Sequence, residues 1–302
     1  MSFRHYRQGP ANEARYDIWH GWTAGNQLVA PAQGERTDWV AADVSWTQSA
    51  FISGEMGQSN VDVLRYAART TSEVTWFGPV LRPRMGLGAQ PIRYLDQMYV
   101  PVPGWGDSGS GHVGTTGGGN FEVRNRATLY QGDTELLWGN AEFLPVNGGL
   151  PAERLPYRVV ADNDRADWAG PYSTHTHTEW DFTSEASGPD AVEPLPLIQL
   201  DYGVDTDLAG RASRTARLTV TPSHLPGIEA RVGRPTVEVS YDDGATWKRL
   251  DLTRDRQSQG PDAWSARLSA PRGAQFATLR TAVEDSDGNT VSMTLTRAFG
   301  LR

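Results

Sequence analysis

The sequence predicts an all-β protein of two tandem β-sandwich domains, the C-terminal one immunoglobulin- or fibronectin type III-like. Three observations lead there. Short runs alternate apolar and polar residues with period two, the pattern of strands with one buried face, and no long stretch carries a helical period. Turn formers punctuate those runs, with 32 Gly and 19 Pro in 302 residues. Finally, 184–194 (Ser-Glu-Ala-Ser-Gly-Pro-Asp-Ala-Val-Glu-Pro) reads as a linker and divides a unit over 1–187 from one over 188–302.

Taken in order, 1–72 carries the least regular pattern, with aromatic strand-like pieces at 16–22 and 39–46. Residues 73–77 read as a strand stopped by Gly78-Pro79, and 94–100 as another. The latter runs into 104–119, whose Gly density predicts a surface loop. A hairpin is expected over 127–138 about Gln131-Gly132-Asp133, then a strand over 155–160 ended by Asp162-Asn163-Asp164. Over 174–182, period two puts Thr174, Thr176, Thr178, Trp180 and Phe182 on one face, the inner one. His175, His177, Glu179 and Asp181 fall on the other.

Beyond the linker, strand-like runs return every ten residues or so, at 195–202, 214–221, 235–241, 246–252, 262–268, 276–284 and 290–299. That count is the one expected of an immunoglobulin or fibronectin type III sandwich. The clearest hairpin spans 236–252. Val237, Val239 and Tyr241 alternate with Glu238 and Ser240, Asp242-Asp243-Gly244 turns the chain, and Trp247 opens the return. Asp242 is expected to cap backbone N–H groups of the turn, Gly244 to supply its special φ, and Trp247 to fold into the core. Ser240, Asp242, Gly244 and Trp247 fit the Asp-box pattern that sialidases repeat once per propeller blade, but a single copy marks a hairpin, not a propeller.

Composition removes several functions. Lys plus Arg total 28 against 36 Asp plus Glu, a net charge of -8, and no basic run offers a face for nucleic acid. There are no cysteines, hence neither disulfides nor thiolate metal sites. Residues 1–10 lack the apolar core of a signal peptide, and no apolar run reaches membrane-spanning length.

Gly106-Asp107-Ser108-Gly109 looks like the nucleophile loop of trypsin-like proteases, but nothing resembles the segment that brings their base, so no catalytic residue is assigned. No metal site is assigned either. His175 and His177 with Glu179 come nearest, and an outward polar strand face explains them equally. Asp285 with Asp287, and Asp162 with Asp164, offer oxygen to calcium without completing an EF-hand loop. No cofactor is expected. The Trp-rich N-terminal part can build a sugar platform, though core burial is the commoner use of Trp.

Residues 237–247, 279–290 and the ending Arg297-Ala298-Phe299-Gly300-Leu301 resemble the C-terminal, non-catalytic region of large secreted subtilisin-like serine proteases of actinobacteria. Asp107-Ser108-Gly109-Ser110-Gly111-His112, Thr128-Leu129-Tyr130-Gln131-Gly132, Leu155-Pro156-Tyr157-Arg158 and Thr178-Glu179-Trp180-Asp181-Phe182 extend the likeness over about 73–302. None of the segments that carry the subtilisin triad occurs in this chain. The resemblance implies a secreted accessory region that stabilises or docks a protease domain, and it assigns the Ser108 loop to that region. A stand-alone module binding carbohydrate or a cell-surface glycan, and a hydrolase with an unfamiliar site, are the rival readings.

Overall fold

A computed structural model describes residues 14–20, 23–30, 37, 39–42, 45–52, 56–60, 64–86, 90–108, 111–116, 123–166, 170–255 and 262–302. Trp22, Gly109 and Gly117-Gly118-Gly119, which enter the expectations above, lie outside them. The described chain is all-β.

The first strands are β1 (Ala14–His20), β2 (Thr23–Ala30), β3 (Ser45–Ile52), β4 (Met56–Asn60) and β5 (Leu64–Arg65). After them come β6 (Ile92–Tyr94), β7 (Gln97–Tyr99), β8 (His112–Thr116), β9 (Val123–Gln131), β10 (Thr134–Asn140), β11 (Pro145–Val146), β12 (Leu155–Arg165), β13 (His175–Ser184) and β14 (Glu193–Pro194). The remainder are β15 (Gln199–Val204), β16 (Arg211–Ala212), β17 (Arg217–Ser223), β18 (Thr236–Ser240), β19 (Lys248–Arg249), β20 (Thr253–Arg254), β21 (Trp264–Arg267), β22 (Phe276–Glu284) and β23 (Thr290–Leu301).

A nine-stranded central sheet, ordered β10-β9-β12-β13-β23-β22-β18-β19 with β16 alongside β23, runs through both halves of the chain. Two four-stranded sheets complete the sandwiches: β11-β7-β6-β14 belongs with the first half and β15-β17-β21-β20 with the second. In the second half, β15, β17 and β21 oppose β23, β22, β18 and β19, the strand division of a fibronectin type III sandwich. A further sheet, β2-β1-β3-β4-β8 with β5 on β3, carries the N-terminal segment.

Alternation explains the core. Trp180 and Phe182 of β13, Leu129 of β9 and Val159 of β12 share one buried cluster with Met98 of β7 and Val100 just beyond it. Leu279, Met293 and Leu295 belong to the same cluster, with Leu200, Leu218 and Val220 from the second half. The sandwiches therefore share a core as well as a sheet. Their seam is the antiparallel pairing of β13 with β23, His175 opposite Thr296 through Asp181 opposite Thr290. The Trp180 indole N–H donates across the core to Ile198 O at 2.8 Å.

Several expectations shift. Residues 73–77 form no strand: Trp76 and Phe77 are buried, and Phe77 N–H is taken by Gln58 Oε1 at 2.8 Å instead of by a ladder. The 94–100 run is a hairpin, because Leu95 turns back with φ 50° and Tyr94 pairs Gln97. The Gly-rich 104–119 stretch contains β8, paired to β4. Asp162-Asn163-Asp164 is no turn, since β12 continues to Arg165 with these residues paired to His177, Thr176 and His175. The linker is clasped rather than free. Ser187 Oγ accepts Leu95 N–H at 2.9 Å, Ala186 N–H donates to Ala152 O at 3.0 Å, and Glu193 pairs Arg93 in the first half's sheet.

Candidate functional site

The chemistry-bearing residues gather in four places. The first is the outer face of the central sheet. Register sets Arg126, Asp162, His177 and Thr294 in one row across β9, β12, β13 and β23, and Arg124, Asp164, His175 and Thr296 in the next. His175 Nδ1 lies 2.8 Å from Asp164 Oδ1. His177 Nδ1 lies 2.6 Å from Asp162 Oδ1 and its Nε2 2.9 Å from Glu179 Oε1. Partial burial opposes the charged ring of His177, but the hydrogen bonds and charges of Asp162 and Glu179 outweigh it and raise the pKa. A carboxylate oxygen stands at each ring nitrogen, so neither is open to a metal. Among the described residues no group of three or more His, Cys, Asp or Glu is arranged to hold a metal ion.

The second place is the protease-like loop. Ser108 Oγ donates to Val80 O at 3.0 Å. The neighbouring Asp107 and His112 are both fully buried and paired, Oδ2 to Nδ1 at 2.8 Å. His112 stacks on Trp76 with centroids 3.8 Å apart and planes 5° from parallel, and its Nε2 has no partner. This Asp–His pair has the inner half of a triad, yet the nitrogen that would take a serine proton bonds nothing. In the sequence the pair is hidden, because His112 sits among glycines whose chemistry is that of a loop. The same stretch is pinned by Arg82, buried and donating to the carbonyls of Gly106 at 3.2 Å and Asp107 at 2.7 Å while pairing with Asp201 of β15. Burial first, then Arg84, lowers the Arg82 pKa to about 9, so it remains charged at neutral pH.

Third is the turn at 285–289. Asp285 Oδ1 accepts the N–H groups of Asp287 and Asn289, each at 2.9 Å. Its Oδ2 accepts Asn289 Nδ2 at 2.8 Å and His224 Nε2 at 3.0 Å. Donors occupy the oxygens a calcium ion would use, and Asp287 stands exposed beside them. Burial lowers the His224 pKa, and the attraction of Asp285 offsets this incompletely. His224 carries no pattern in the sequence, where it stands alone between Ser223 and Leu225.

Fourth is the Asp-box hairpin. Asp242 Oδ1 accepts Ser240 Oγ at 2.6 Å and Thr246 N–H at 2.8 Å, and Oδ2 accepts Thr246 Oγ1 at 2.6 Å. These bonds, Ser240 first, hold the Asp242 pKa down at about 2. Gly244 has φ 94° and donates its N–H to Ser240 Oγ at 2.8 Å. Trp247 departs from expectation. It is half-buried, its ring beneath the Arg280 guanidinium at 4.5 Å and against Gly244, and it lies outside the core. The β19 return is too short to carry it inward.

No family model matches the chain, and no curated protein does. Among solved structures, the crystal structure of chicken CNTN1 FN1-FN3 domains is similar at 11% identity, over 95% of this chain and 90% of that one, with a TM-score of 0.17. At that score the fold rests on the sheets described above.

Proposed function

We propose that this chain is a non-catalytic β-sandwich region that accompanies a secreted subtilisin-like serine protease and stabilises or docks it. The resemblance over about 73–302 suggests the partner. The observation that carries the non-catalytic part is the bonding of Ser108: its hydroxyl serves Val80 O, while His112 Nε2 is buried and bonds nothing. A nucleophile without a base at hydrogen-bond reach has no route to acyl transfer. The test is to mix the purified chain with a subtilisin-like catalytic domain of an actinobacterial secreted enzyme. Co-elution and a longer autolysis half-life at elevated temperature are expected, with no peptide turnover by the chain alone. Turnover lost in Ser108→Ala would sink the non-catalytic reading, and an unchanged half-life without co-elution the accessory one.

A second reading, a module for carbohydrate or cell-surface glycan, draws on Trp138 and Phe143, 59% and 65% exposed near the β10 edge. Glycan-array binding lost in Trp138→Ala would favour it.

A further inference from the structure

Where the two sandwiches meet there is a cavity of about 400 Å³, within the roughly 300–1,000 Å³ of small-ligand sites. The clasped linker, the loop around 227–230 and the turn bearing Asp287 and Asn289 enclose it, and Arg93 of β6 lines its floor. Arg93 is fully buried. Its Nε donates to Leu95 O at 2.6 Å and its Nη2 to Pro151 O at 2.8 Å, but its buried Nη1 has no acceptor. Among the described residues no carboxylate forms an ion pair with it. Glu193 stands directly across the β6–β14 pairing yet is exposed. A buried guanidinium without a counter-charge is costly unless something supplies one.

The rim has the opposite character. Glu185, Glu193, Glu229 and Asp287 are exposed carboxylates in the lining, with Arg154 the cation among them. A simple anion would satisfy Arg93 but cross an acidic rim. A simple cation would suit the rim and leave Arg93 uncompensated.

We propose that this cavity binds a zwitterion: a carboxylate that accepts the unused N–H of Arg93, with an ammonium or guanidinium a few bonds away that meets the rim. Charge-assisted hydrogen bonds at both ends supply the recognition. A free basic amino acid and a basic C-terminal residue of a peptide share this chemistry. Because Nη1 is covered in the ligand-free chain, the carboxylate displaces a lining side chain to reach it. The inference is independent of the accessory role proposed above.

Titration calorimetry on the full chain tests it, with the tripeptide Gly-Gly-Arg, its C-terminal amide, L-arginine and inorganic phosphate as probes. Gly-Gly-Arg is expected to saturate, its amide to bind at least about tenfold more weakly, and phosphate not at all. L-Arginine matching the tripeptide identifies the free amino acid as the source; a weaker L-arginine identifies the peptide end. The variant with Glu185→Gln and Glu229→Gln should lose about tenfold in affinity. Arg93→Lys should lose binding, with its fold checked by near-ultraviolet circular dichroism. Since that variant can fail to fold, Gly188→Trp is the companion: a Cβ at Gly188 meets open space, and the indole obstructs the lining. No binding of Gly-Gly-Arg, equal binding of acid and amide, or unaltered affinity in Gly188→Trp overturns the proposal. Phosphate binding that appears only in Glu193→Gln would also overturn it, by making Glu193 the counter-ion of Arg93.

Discussion

Two tryptophans separate what a local pattern reveals from what packing decides. Trp180 is 1% exposed with its indole N–H bonded to Ile198 O, so deletion leaves a large cavity and an unpaired carbonyl. Trp180→Ala should cost ~3–5 kcal/mol. Trp247 is only partly buried and lies outside the core, its ring beneath the Arg280 guanidinium. Trp247→Ala should cost about 1–2 kcal/mol, the value of partial burial and one cation–π contact. Denaturant midpoints of the two variants decide it; a larger shift for Trp247→Ala would return that residue to the core. Period two places Trp180 inward, and the turn chemistry of Asp242-Asp243-Gly244 matches the bond from Thr246 N–H to Asp242 and the positive φ of Gly244. The place of Trp247 was illegible because it depends on how far β19 extends, which the partner strand sets. Asp107 with His112 was illegible although the two are five residues apart, because their glycine-rich surroundings have loop chemistry and only the pairing of β8 with β4 orders them.

At the scale of elements, two histidines fasten neighbouring segments and answer pH in opposite directions. His177 joins β12 to β13, and its folded pKa lies above the ordinary 6.5. The stability it contributes is full below the unfolded value and is lost as pH rises through the folded one. His224 ties the end of β17 to the β22–β23 turn, and its folded pKa lies below 6.5. In the window beneath 6.5 the unfolded chain binds the proton more readily, so this contribution is present above 6.5 and lost as pH falls. Chemical denaturation from pH 5 to 8 should therefore show His177→Gln losing stability mainly at the acid end and His224→Gln mainly at the alkaline end. Parallel losses at every pH would mean that neither ring's ionisation is coupled to folding. The His177 strand itself was well read, its polar face outward and its aromatic face inward. Its Asp162 and Asp164 partners lie in Asp-Asn-Asp, turn chemistry that only the pairing of β12 with β13 overrides.

For the whole molecule, the seam between β13 and β23 matters most. The linker composition at 184–194 marks a change of sandwich, yet Glu193 and Pro194 still pair with the first half. The central sheet crosses that boundary without a break. Nothing local in His175–Ser184 indicates its partner, because any strand with one apolar face can pair there, and the choice is made by a strand more than a hundred residues away. A fragment of residues 195–302 keeps both sheets of its own sandwich and should fold, giving a cooperative melt and a near-ultraviolet signal. It loses the pairing of Thr290–Thr296 with β13 and the bond from Trp180, and it turns β23 into a free edge whose N–H and C=O groups invite another strand. The fragment should melt below the intact chain and self-associate, with its sedimentation coefficient rising with concentration. Charge on the exposed edge should reverse the association, so Ser292→Lys in the fragment is expected to restore the monomer. An unfolded fragment would refute the independence of the second sandwich. A monomer melting with the full chain would show that β13 contributes nothing to β23, leaving the seam a contact rather than a support.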